Sequence, residues 1–103
     1  MTLDDAAAQL EALGNRTRLK IYRTLVKEGH SGIPVGQLQN QLGTRASTLS
    51  HHLQMMIQVG LVTQERQATT LVCRANRMAM NQLVSYLTDE CSVEGVNSPA
   101  IVT

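Results

Sequence analysis

The chain has no tryptophan and no phenylalanine, and two tyrosines are its only aromatic residues. Surfaces that bind single strands do so by stacking bases on aromatic rings, so that mode of recognition has nothing to work with here. Two cysteines, Cys73 and Cys91, are too few for a disulfide framework. No apolar run approaches the roughly 20 residues that cross a bilayer, and no membrane partner is expected. Met1 to Ala8 carries Asp4 and Asp5 where a secretory leader would place basic and then apolar residues, so a cytoplasmic location is expected. There is no glycine-rich phosphate loop, and no nucleophile stands at a useful spacing from a base. At 103 residues there is no second domain to close a cleft, so the chain does not read as an enzyme.

What is present is a core of Leu, Val, Ile, Ala and Met, thin for a monomer of one small domain; burial against a second copy is expected. The net charge of +1 conceals an asymmetry. All nine basic residues fall between Arg16 and Arg77, where only Glu28 and Glu65 are acidic, a balance of +7. The six remaining acids lie outside that span. A basic centre between acidic ends suits a phosphate-binding face.

Ser47 to Val62 separates into two faces. Leu49, Leu53 and Met56, with Ile57 beside them, recur at helical spacing, while Arg45, Ser47, Thr48, Ser50, His51 and His52 form the other side. Short hydrogen-bonding groups and a guanidinium suit base edges and phosphates, and Gly60 stands where a helix ends. Upstream, Leu3, Ala6, Ala7, Leu10 and Leu13 follow the helical period to Gly14, and Asn15 is placed to cap a second helix with Leu19, Ile21, Tyr22, Leu25 and Val26 inward. Residues 29 to 36 hold three glycines and Pro34 and read as a loop. A short helix follows, with Val35, Leu38 and Leu42 inward, and Thr44 to Ala46 turns into the polar-faced helix. This succession is a helix-turn-helix, its second helix entering the major groove. Leu61 to Glu65 and Thr70 to Arg74 pair as strands around Arg66-Gln67-Ala68-Thr69, a wing with Arg66 near its tip. A last helix from about Asn76 to Glu90 shows Met78, Met80, Leu83, Val84, Tyr86 and Leu87 over more than one stripe, enough for its own subunit and a two-fold partner. Residues 1–91 form one domain in this reading and 92–103 a loose tail.

Leu13-Gly14-Asn15-Arg16-Thr17-Arg18-Leu19, Ser47-Thr48-Leu49-Ser50-His51-His52-Leu53 and Gly60-Leu61-Val62 resemble the conserved blocks of the ArsR/SmtB family of winged-helix repressors. The resemblance covers about residues 3 to 90. It implies a mainly α fold of five helices with a small two-stranded β-wing. It further implies a homodimer on a palindromic double-stranded operator and an inducer that releases the DNA. The residues matched to the DNA-binding face are Thr44, Arg45, Ser47, Thr48, Ser50, His51, His52 and Arg66. First and last helices would form the dimer interface, through Leu3, Leu10, Met80, Leu83, Val84 and Leu87. The family's third-helix Cys-Val-Cys site corresponds to Pro34-Val35-Gly36-Gln37-Leu38, which holds no ligand, and its last-helix zinc site meets neither His nor acid between Asn76 and Thr88.

The thiols are then the remaining sensor candidates. Cys73 and Cys91 flank the last helix, whose length between them is on the order of 20 Å at about 1.5 Å per residue, so they do not meet within one subunit. Antiparallel last helices in a dimer would bring Cys91 towards the partner's Cys73 end, allowing an intersubunit disulfide or a two-thiolate site for a soft metal or metalloid. The other readings open at this stage are a small buried hydrophobe at Cys73 with a free thiol at Cys91, a repressor that senses no metal, and a winged helix that binds protein.

Overall fold

The computed structural model describes residues 1–94, with side-chain environments through Asp89. Helix α1 spans Leu3–Leu13 and begins in a capping box, Thr2 accepting from the Asp5 amide while the Asp5 carboxylate accepts from that of Thr2. Helix α2 spans Arg16–Glu28 and is capped by Asn15, whose Oδ1 accepts from the Arg18 amide at 3.0 Å. A 3₁₀ turn, Gly29–Ser31, leads to strand β1, Ile33–Pro34, and helix α3, Val35–Leu42. Helix α4, Ala46–Gln58, strands β2, Val62–Gln67, and β3, Thr70–Ala75, and helix α5, Arg77–Glu94, complete the order.

The expected five helices are present. The expected two-stranded wing is β2–β3, and residues 33–34, expected in a loop, add a third strand to it: the sheet order is β1-β3-β2, antiparallel throughout, with Ile33 opposite Cys73 and Pro34 opposite Val72. A two-residue strand ending in proline carries no alternation to read, and it exists because β3 offers it an edge. The hairpin turn is also tighter than expected. Arg66 and Gln67 belong to β2, opposite Leu71 and Thr70, leaving only Ala68-Thr69 in the turn. Helix α5 runs to Glu94, beyond the boundary expected at residue 91; residues 95–103 of the expected tail lie outside the described residues.

One core joins the elements. Ile21, Leu25, Ile33, Leu38, Leu49, Leu53, Met56, Leu61, Val62 and Cys73 are all at most 1% exposed. At about 1.5–3 kcal/mol for each large apolar side chain buried, this cluster supplies the main drive for folding. The end of α4 shows how sequence sets the wing. The Leu61 amide bonds to the Met56 carbonyl at 3.0 Å and the Gly60 amide to that of Ile57 at 3.0 Å, a Schellman pair. That turn drops Leu61 onto Met56 in the core. Asn76 then fastens the base of the wing: its amide donates to Leu61 O, its Nδ2 to Gly60 O, and its Oδ1 accepts from the Ala79 amide at the start of α5.

Ala68 is the only non-glycine residue with positive φ among those described, at 59°. A left-handed backbone costs an L-residue about 1–2 kcal/mol, and a two-residue hairpin with positive φ at its first position usually places glycine there. Ala68→Gly is therefore expected to leave the fold about as stable or up to about 1 kcal/mol more so, despite the added freedom of the unfolded chain. A thermal melt of the variant well below that of the parent would contradict this.

Candidate nucleic-acid interface

Helix α4 packs Leu49, Leu53 and Met56 into the core, each at most 1% exposed. At 100° per residue the opposite stripe runs through Ser47, His51 and Gln54, all exposed, with Thr48 and Ser50 on its shoulders. Gln54 was not among the residues singled out from sequence. It stands seven residues after Ser47, two helical turns along the same stripe, and its amide has the donor–acceptor pair that matches an adenine edge. Arg45 is exposed at the N-cap and makes no side-chain capping bond, and the first turn of α4 holds no acid. The amides at that end are therefore open to an anion such as a DNA phosphate. A hollow of about 290 Å³ lies beside it, walled by Thr17 and Lys20 of α2 and by Thr44 and His52.

His52 differs from expectation. His52 is half-buried at the flank of α4, and its Nδ1 lies 3.3 Å from Arg18 Nη1. Arg18 donates through Nε to Ala12 O at 2.6 Å and through Nη1 to Met55 Sδ at 3.3 Å. It thereby ties the end of α1 and the start of α2 to the middle of α4. Burial, then the charges of Arg18 and neighbouring His51, hold the His52 pKa below its ordinary value of 6.5. Nδ1 must be unprotonated to accept from a guanidinium, which agrees with that direction. Below about pH 6.5 the unfolded chain takes up this proton first. The stability contributed is thus full above that pH and declines as pH falls towards the folded value. Urea titrations from pH 7.5 to pH 5 should show this decline, and His52→Gln should reduce it; an unchanged pH profile in that variant would sink the assignment.

Arg66 lies on β2 as an exposed residue of the wing. Arg74 bonds within its own chain: Nη1 meets Glu65 Oε1 at 2.7 Å and Nε donates to His30 O at 2.9 Å. That pair is the only ion pair among the described residues, so Arg16, Lys20, Arg23 and Lys27 of α2, Arg45 and Arg66 make none there.

Of the readings open for Cys73, the structure favours the small buried hydrophobe. It sits in the middle of the central strand, 0% exposed, with Gln64 Nε2 donating to its Sγ at 3.5 Å. Burial raises its pKa, against the opposing effect of the Gln64 bond, so the sulfur stays a neutral thiol. The Cys91 side chain lies outside the described residues. No group of three or more His, Cys, Asp or Glu capable of holding a metal occurs among the described residues. No helix there is long and apolar enough to cross a membrane.

The outer apolar face is made by two helices. On α1 the buried stripe is Ala6, Gln9 and Ala12, while Leu3 and Leu10 are 70% and 43% exposed. Both leucines, expected at the dimer interface, are thus left on the outer surface of the subunit. The small alanines let α1 pack closely on its own subunit, and Gln9 Nε2 donates to Val59 O at 2.9 Å at the end of α4. On α5, Val84 and Leu87 are 50% and 51% exposed. Leu83 is only 2% exposed and Met80 packs against the core, so both belong to the subunit interior rather than the expected interface.

The chain is similar to known regulators. A family described as "Helix-turn-helix domain" matches residues 13–65. The nodulation protein NolR of Rhizobium meliloti is 34% identical over 84 residues, which span 82% of this chain and 66% of the relative. The crystal structure of the transcriptional repressor BigR from Xylella fastidiosa superposes with a TM-score of 0.66 at 31% identity, covering 84% of this chain and 85% of that one. The solution structure of Mb0332 from Mycobacterium bovis, described as a homodimeric winged helix-turn-helix DNA-binding domain of a possible ArsR-family regulator, gives 0.66 at 28% identity, covering 84% and 85%.

Proposed function

The chain belongs to the ArsR family of winged helix-turn-helix transcriptional regulators, and we propose that it represses transcription as a homodimer seated on a palindromic duplex operator. The observation that carries the reading is the exposed stripe of α4. Ser47, His51 and Gln54 project opposite a fully buried Leu49-Leu53-Met56 seam, beside an N-terminus free of acids and side-chain caps. In this reading the stripe enters the major groove. Arg45 and Lys20, with the free amides of α4, hold phosphates next to it, and Arg66 meets the backbone flanking the site. The half-buried His52 positions α4 through Arg18 rather than reading bases. Two copies joined through α1 and α5 would set their recognition helices about one DNA turn apart. In this reading Cys73 acts as a small core side chain, which its full burial supports.

The test is selection from a randomised duplex library with the purified full chain, followed by titration of the enriched site. A palindromic site should emerge. Gln54→Ala should cost about 1–3 kcal/mol on it, with little effect on unrelated DNA. Arg45→Ala should weaken all duplexes and reduce the salt slope by about 1. Failure to enrich any duplex would overturn the reading.

A further inference from the structure

A second concave surface lies between α2 and α5, away from the recognition stripe. Its volume is about 310 Å³, within the range of small-molecule pockets. Leu13, Val26 and Met80 provide apolar walls, and Tyr22, 4% exposed, lies behind them. Arg23 and Arg77 are also on its lining, both exposed and in no ion pair among the described residues. The charge of Arg77 is close enough to the Tyr22 hydroxyl to pull its pKa down against the effect of burial. An apolar hollow with two guanidiniums and no acid in its lining is complementary to a molecule with an apolar body and one negative end.

We propose that this cleft binds a small amphipathic monocarboxylate, its hydrocarbon part against Leu13, Val26 and Met80 and its carboxylate on Arg77, with Arg23 adding to the positive field. The ligand would touch both α2, which holds α4 through Arg18, and α5, which carries the outer apolar face. That makes the cleft a place from which a metabolite could alter DNA binding; this consequence rests on the regulator reading, whereas binding to the cleft does not.

The test uses octanoate, with octanol and octylammonium as its uncharged and cationic counterparts, added to the full chain without DNA. Saturable shifts of the Leu13, Val26 and Met80 methyl signals are expected with octanoate. Affinity should fall roughly tenfold for octanol and further for octylammonium, since a charge-assisted hydrogen bond is lost. Arg77→Gln should weaken octanoate binding by about the same factor, and Val26→Phe should block it by filling the cavity, each with an unchanged thermal melt. Equal binding of octanoate and octanol would overturn the proposal. So would an unresponsive cleft in a protein that sedimentation shows to be dimeric, which would assign the cleft to the partner chain.

Discussion

Gly32→Ala is expected to destabilise the fold by about 3–5 kcal/mol, a large share of the roughly 5–15 kcal/mol available to a small domain. Gly32 has φ 69° and ψ −169°, a region essentially reserved for glycine. An added Cβ would stand 2.7 Å from Arg74 Cγ and 2.8 Å from both the Cys73 carbonyl oxygen and Val72 Cγ1. The strained backbone accounts for about 1–3 kcal/mol and the crowding for a similar amount. Neither is relieved cheaply, because Cys73 O belongs to the backbone of the central strand and Val72 is buried. Gly29→Ala separates the two effects: φ there is also 69°, but nothing lies within 4 Å of the new carbon. Chemical denaturation of both variants should show Gly32→Ala to be the more damaging by at least about 1 kcal/mol. Equal losses would mean that crowding against β3 contributes nothing.

The second large effect concerns Leu87. Met80, Leu83 and Leu87 recur at helical spacing along α5: Met80 is half-buried against the core, Leu83 is 2% exposed, and Leu87, one turn further on, is 51% exposed. The helix thus carries one continuous stripe out of its own subunit, and Leu3 and Leu10 of α1 add to the apolar surface left open. Leu87→Glu places a charge on that surface without touching the core, so the monomer should remain helical. Operator affinity should fall by about 10²–10⁴, because each half-site must then be bound without the effective concentration provided by its tethered twin. Sedimentation and operator titration on the same sample would check this. A monomeric variant with undiminished operator affinity would refute the dimeric mode of binding.

The parts of the fold that were legible in the sequence are those whose cause is local. Asn15 and Thr44 to Ala46 mark helix boundaries through backbone chemistry within a few residues, and the two faces of α4 follow from spacing alone. The features that were not legible depend on partners far along the chain. Arg18 and His52 are 34 residues apart, and nothing near either one announces the bond between them. Strand β1 is too short to show alternation and forms only because β3 is beside it. Periodicity identified the apolar residues of α1 and α5 but could not say which body covers them. Leu83 was therefore assigned to a partner and proved internal, while Leu3 and Leu10 proved external to their own chain's core.

The order of strands in the sheet also sets an order in time. Strands β2 and β3 are joined by two residues, and such a hairpin closes within about 1–10 μs. Ile33 and Cys73 are forty residues apart, with the whole helix-turn-helix between them, and closing that longer loop costs more chain entropy. The contact has to wait until α3 and α4 have collapsed onto the core. The short β1 edge is therefore expected to be the last part of the sheet to zip up during folding.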